Sequence, residues 1–254
     1  MDLCACQIAR IYVAPVCVEA FCRRMLDWAR LTGFARLVAY LNAHNVNVVF
    51  EDPEYAAILR KAALVYADGM SVVWGWRLLG QTLPCRVNAA DFILDFCRRA
   101  ADEGVSLYLL GSAPSVAERA AERWKASAPG LRIAGTRSGY FGPEDEEAVA
   151  EEIRRAAPAI LLVGMGVPRQ EKWAARWKER LNVPLIWCVG ALFEYWGAGR
   201  WRAPVWMRRC GLEWAWRLAL EPRRLWRRYL IGNARFLRNL WRLRQAVRDR
   251  GGRL

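Results

Sequence analysis

Two short stretches of this chain carry residue types that could do chemistry. Asp68 stands in Tyr66-Ala67-Asp68-Gly69-Met70, after an apolar run and before a helical pattern over 71–79. A carboxylate half withdrawn from water at such an edge can take up a proton as a general base, although an Asp at a helix start can equally serve as a cap. The second stretch, Val163-Gly164-Met165-Gly166-Val167-Pro168-Arg169-Gln170-Glu171, reads as strand, glycine loop and proline-initiated helix. Gln170 falls in the first turn, beside backbone N–H groups that attract anions; there it can hydrogen-bond a sugar or a base, or simply face solvent. Gly111-Ser112 closes another apolar run in the same way. Glycines at 111, 164 and 166 admit a phosphate to the backbone, or they only turn the chain.

Other chemistries are disfavoured. The chain lacks a phosphate-binding P-loop and a G-x-G-x-x-G after its first strand, which argues against NTPase and nicotinamide-dependent dehydrogenase readings. His44 is the only histidine, and the eight cysteines form no C-x-x-C, so a zinc site is not expected. No D-x-D element is present to hold a metal on a diphosphate. The sequence therefore calls for no metal and no cofactor, and leaves phosphate charge to arginines, whose fork of donors matches phosphate oxygens.

These residues must be positioned by elements, and the pattern supplies them. Apolar runs of strand length occupy 37–41, 64–67, 106–110, 131–134, 160–163 and 185–189, with helical periods over 53–63, 89–101, 114–126, 144–156 and 168–180. Strand-helix alternation with continuously apolar strands predicts an α/β, Rossmann-like fold with a mostly parallel sheet covered by helices. Ligands of such sheets bind beyond the carboxyl ends of the strands, where Asn42, Asp68, Gly111, Gly164 and Gly190 fall. Most cysteines lie in apolar stretches and read as reduced core thiols of an intracellular protein.

The charge is lopsided. The whole 254-residue chain carries +14, with 39 Lys+Arg against 25 Asp+Glu. From Arg200 onward stand 16 arginines and three acids, a net +13, whereas residues 1–199 carry +1. We therefore expect an α/β catalytic domain over 1–199 and an arginine- and tryptophan-rich helical appendage over 200–254. After Glu221-Pro222, Trp226, Tyr229, Leu230, Leu237, Leu240 and Trp241 recur at helical spacing among arginines, the pattern of a helix lying in anionic headgroups. No apolar window is long enough to span a bilayer, so the appendage predicts a peripheral association with an anionic membrane surface. The rival reading is a non-catalytic nucleotide-binding protein whose basic tail binds nucleic acid; no nucleic-acid motif supports it.

Several motifs together resemble the WecG/TagA/CpsF glycosyltransferases. They are Leu41-Asn42-Ala43-His44-Asn45, Ala67-Asp68-Gly69-Met70 with Val72-Val73-Trp74, Leu83-Pro84-Cys85-Arg86-Val87, Gly164-x-Gly166-x-Pro168-x-Gln170-Glu171, and Arg202-Ala203-Pro204-x-Trp206 with Gly211-Leu212-Glu213-Trp214-x-x-Arg217-Leu218. The resemblance implies inverting transfer of a sugar from a nucleotide-diphosphate donor to a polyprenyl-diphosphate-linked acceptor, at the cytoplasmic face of a bacterial membrane. It makes Asp68 the base and places Asn42 and Gln170 at substrate-contacting positions, with Arg86 at a polar position near the pocket. Arg217, Arg224 and Arg227 match arginines brought over the site to hold diphosphate charge. Tyr40 stands where the family commonly has Thr, also at a substrate position, and Glu194 stands where it commonly has Asp. The expected partners are a UDP-sugar, the lipid-diphosphate acceptor and the membrane, without nucleic acid; the state of self-association, homo-oligomer included, stays open.

Overall fold

A computed structural model describes residues 11–31 and 33–249. Its six strands are β1 (Arg36–Leu41), β2 (Leu64–Ala67), β3 (Leu107–Gly111), β4 (Ile133–Arg137), β5 (Ile160–Gly164) and β6 (Leu185–Cys188). They form an all-parallel sheet in the order β2-β1-β6-β5-β3-β4, flanked by helices, which is the predicted α/β Rossmann-like architecture. Five strands are buried along nearly their whole length, as their unbroken apolar sequences require. The exception, β4, lies at an edge and is only half-buried, so it tolerates Gly135-Thr136-Arg137 and runs further than its short apolar stretch suggested.

The helices are α1 (Val18–Ala29), α2 (Ala43–Glu51), α3 (Pro53–Lys61), α4 (Met70–Leu78), α5 (Ala89–Asp102), α6 (Val116–Ser127), α7 (Glu146–Ala156), α8 (Arg169–Leu181) and α9 (Leu192–Gly197). Their starts follow local chemistry. The Asn42 side chain accepts from the N–H groups of His44 and Asn45 to cap α2, and Asp52 caps α3 just before Pro53.

The chain forms two compact units. One comprises Val18–Ala39 and Asn88–Arg200; the other comprises Tyr40–Val87 with the described residues before Val18 and after Arg200. In the first, Trp187 of β6 is enclosed by Phe21, Phe92 and Phe96 at ring-centroid distances of 5.3, 6.2 and 5.3 Å. Aromatic pairs of this kind add about 0.5–1.5 kcal/mol beyond the burial of their area.

In the second unit the C-terminal segment is helical: α10 (Val205–Arg209), α11 (Glu213–Leu220), α12 (Pro222–Trp226), a π-helical turn (Arg227–Ile231) and α13 (Gly232–Arg248). The helix expected after Pro222 is present, with the π turn set into it. A stripe of Leu225, Phe236, Asn239, Leu240, Leu243, Ala246 and Val247 is buried. It packs on α2 and α4: Asn47 donates to the carbonyl of Gly232 (2.8 Å) and accepts from the Asn239 amide (3.0 Å), while Gly75 leaves room for Leu240 and Phe236. Leu240, grouped by periodicity with the interface side chains, is thus a packing residue at 6% exposure. Trp226, Leu230, Leu237 and Trp241 are exposed instead, Trp241 at 60%.

The cysteines need one correction. Cys22, Cys97 and Cys188 are buried, but Cys85 is half-buried and Cys17 and Cys210 are exposed, so only three of the six described cysteines are core thiols. Cys4 and Cys6 lie outside the described residues. No described helix is long and apolar enough to cross a membrane.

Candidate active site

Asp68 follows β2 directly. Its N–H donates to the carbonyl of Leu41 at 2.8 Å, so the ends of β1 and β2 are locked together and Asn42 is brought beside the Asp68 carboxyl. Gly69, not Asp68, occupies the N-cap of α4, and the Asp68 carboxyl accepts a hydrogen bond from the Asn42 amide. Asn42 therefore works in two directions, its Oδ1 holding the α2 N-terminus and its Nδ2 holding Asp68.

The surroundings of Asp68 push its proton affinity both ways. Burial raises the pKa of this half-buried residue from 3.8 to about 6; the positive charges of Arg86 and Arg217 oppose the rise and the negative charge of Glu213 supports it. Arg86 donates to Glu213 at 3.0 Å, in a pair whose side chains are only 13% and 14% exposed. Arg202 and Arg217 each approach Glu213 at 3.9 Å. A carboxyl near 6 is mostly ionised at pH 7 yet keeps enough basicity to accept a proton there.

Four of the expected residues, Asn42, Asp68, Arg86 and Arg217, are thus brought together. Tyr40 lies beside them on β1, nearly buried, its ring 6.2 Å from that of Tyr66, and its carbonyl accepts from the Asn45 side chain at 2.8 Å. Arg224 and Arg227 are exposed further along the segment, Arg224 paired with Glu221 at 2.8 Å and Arg227 over the Trp226 ring at 5.3 Å. Their charges do not figure among those acting on Asp68. His44, in the first turn of α2, is held neutral: burial and the Arg228 charge lower its pKa to about 4.

The glycine loops belong to the other unit. Gly111 has φ +147°, and a Cβ there would run into the Gly164 backbone; Gly166 has φ +81° with open space around it. The first glycine is demanded by close packing of two strand ends, the second by a left-handed turn. Gln170 is fully buried. Its Oε1 accepts from the Gly190 N–H at 3.0 Å and its Nε2 donates to Glu171 at 2.7 Å. Glu171 is buried as completely, and desolvation raises its pKa to about 8, so it is protonated at neutral pH. Neither reading made of Gln170 from sequence foresaw this inner brace.

A model of the Glycosyl transferase WecG/TagA/CpsF family matches residues 6–250. The chain belongs to this family. Among curated relatives, it is 30% identical over 195 residues to the N-acetylglucosaminyldiphosphoundecaprenol N-acetyl-beta-D-mannosaminyltransferase of Bacillus spizizenii, covering 76% of this chain and 75% of the relative. The protein is therefore a glycosyltransferase, and the non-catalytic reading of its α/β fold falls. Within this glycosyltransferase, sequence reasoning quoted Glu213, Arg202 and Glu171 in the family motifs but gave none of them a role. A signal existed for two of them. Glu213 is one of three acids in a strongly cationic stretch, and Glu171 shares the face of α8 on which Ala174, Trp177 and Leu181 are buried. Among the described residues no group of His, Cys, Asp and Glu gathers into a metal-binding cluster.

Proposed function

We propose that this glycosyltransferase moves a sugar from a nucleotide-diphosphate donor, a UDP-sugar, to a saccharide carried on a polyprenyl diphosphate, for a cell-surface polymer. The Bacillus spizizenii relative, named for an N-acetylglucosaminyldiphosphoundecaprenol acceptor, supports the acceptor class. The observation that carries the chemistry is the Asp68 carboxyl, half-buried, oriented by Asn42 and flanked by Arg86 and Arg217. In the transfer, Asp68 takes the proton of the acceptor hydroxyl as its oxygen bonds to the anomeric carbon. The bond from that carbon to the diphosphate breaks in the same displacement, with inversion, and the nucleoside diphosphate leaves with the electron pair.

Arginine charge replaces a metal in this scheme. Arg86 and Arg217 neutralise the departing diphosphate, and preorganised charge of this kind is worth most where water is excluded. Arg224 and Arg227 add positive charge toward the same anions from the surface of the C-terminal helix. In their own unit, the turns at Gly111, Gly164 and Gly166 are candidates to bind a phosphate through backbone N–H groups, while the Gln170 side chain braces Gly190. Tyr40 and Asn42 shape the sugar-contacting end of β1. The exposed Trp226, Leu230, Leu237 and Trp241 among arginines favour peripheral docking on the cytoplasmic, anionic face of a membrane, where each basic residue contributes about 1 kcal/mol.

The reading is tested by incubating the full chain with a panel of UDP-sugars and a polyprenyl-diphosphate-GlcNAc acceptor in excess EDTA. One sugar should be transferred, and NMR of the product should show an anomeric configuration opposite to that of the donor. Retention of configuration, or a requirement for added Mg²⁺ or Mn²⁺, contradicts the proposed displacement.

A further inference from the structure

The arginines beside Asp68 pose a problem that a single base cannot solve alone. Two guanidinium groups acting on one carboxylate hold it ionised and make it a poor proton acceptor. Glu213, the first residue of α11, meets both of these cations and a third: Arg86 at 3.0 Å from the segment after α4, Arg217 at 3.9 Å from its own helix, and Arg202 at 3.9 Å from the segment before α10. We propose that Glu213 is a positioning residue for the transfer reaction, drawing the guanidinium groups of Arg86 and Arg217 toward itself so that Asp68 remains basic enough to take the acceptor proton. The inference rests on the reading of Asp68 as the base.

Three observations support it. The Arg86–Glu213 pair is largely shielded from solvent, so its charges are weakly screened and fixed in place. The five charged groups, two carboxylates and three guanidinium groups, leave one net positive charge, which an incoming diphosphate can use. The influences on Asp68 also have the required signs, with Arg86, Arg217 and the Asn42 amide lowering its proton affinity and Glu213 and burial raising it.

The test is the pH dependence of transfer, with a water-soluble short-chain acceptor, for wild type, Glu213→Gln, Glu213→Ser and Glu213→Asp. Asp68→Asn is the reference, and the midpoint of Asp68 is read directly by ¹³C NMR of labelled protein, assigned by its loss in that variant. Removing the Glu213 charge should move the Asp68 midpoint and the acid limb of the rate down by about one pH unit, the order expected for a partly buried neighbouring charge. Transfer at pH 7 should fall about threefold, and by no more than about tenfold, because a one-unit loss of basicity enters the rate as a fractional Brønsted power. Glu213→Asp should return the midpoint toward the wild-type value. Serine suits the first turn of a helix, so Glu213→Ser provides a second charge-free chain should the glutamine variant not fold. An unmoved Asp68 midpoint in a folded charge-free variant overturns the proposal, even if that variant is less stable. Wild-type rates in Asp68→Asn overturn instead the assignment of the base, a separate outcome.

Discussion

Asp68 illustrates how one residue acquires chemistry from its neighbours. Its type and place at the end of an apolar run were visible in the sequence, but its proton affinity depends on Glu213 and Arg217, which only folding brings near; the Arg86–Glu213 pair spans 127 residues. Since burial lifts Asp68 to about 6, its basic form is populated above that pH and is lost below it. Turnover with a soluble acceptor should be nearly level above pH 7 and fall about tenfold per unit well below 6. A rate profile flat between pH 4.5 and 7 contradicts the role of Asp68. Glu171 supplies a stability counterpart. Its folded pKa of about 8 lies above the ordinary 4.5, so between those values the folded chain holds a proton that the unfolded chain has released, and stability declines as pH rises. Glu171→Gln keeps the shape without the titration. Its Tm relative to wild type should therefore improve steadily from pH 5 to pH 8 by calorimetry, and a constant difference would show that Glu171 does not hold its proton in the fold.

At the scale of elements, the strands were the most legible because burial on both faces leaves an unbroken apolar run that no solvated segment would carry. β4 was less so, since an edge needs fewer apolar residues. The C-terminal helix was readable as amphipathic but not in its orientation: its periodicity mixes a packing stripe with an exposed one, and only the structure shows Leu240 inward and Leu237 and Trp241 outward. The two stripes should separate experimentally. Leu240→Ala leaves a cavity against Gly75 and should destabilise the protein by about 2–4 kcal/mol in urea unfolding. The double substitution Leu237→Ser, Trp241→Ser removes exposed side chains only and should change stability by no more than about 0.5–1 kcal/mol, while weakening flotation with anionic vesicles. Equal vesicle binding by this variant and wild type would remove the exposed stripe from membrane docking.

For the molecule as a whole, charge distribution and chemistry point the same way. A chain whose last 55 residues hold +13 of its +14 is suited to anionic partners, and its family membership identifies sugar transfer as its activity. Both features were accessible from sequence, the second because several spaced motifs occur in order. What folding adds is the assembly of Asn42, Asp68, Arg86, Arg217 and Glu213 from distant parts of the chain into one charged cluster. The account stands on Asp68 as the group that accepts the acceptor proton without help from a metal. The most direct test is the rate of sugar transfer to a soluble lipid-diphosphate-GlcNAc acceptor in excess EDTA, compared between wild type and Asp68→Asn, with nucleotide binding to each measured by calorimetry. Wild type should transfer in EDTA, and Asp68→Asn should bind nucleotide with unchanged affinity yet transfer at least about 10²-fold more slowly. Transfer by Asp68→Asn at a rate near that of wild type would contradict the account.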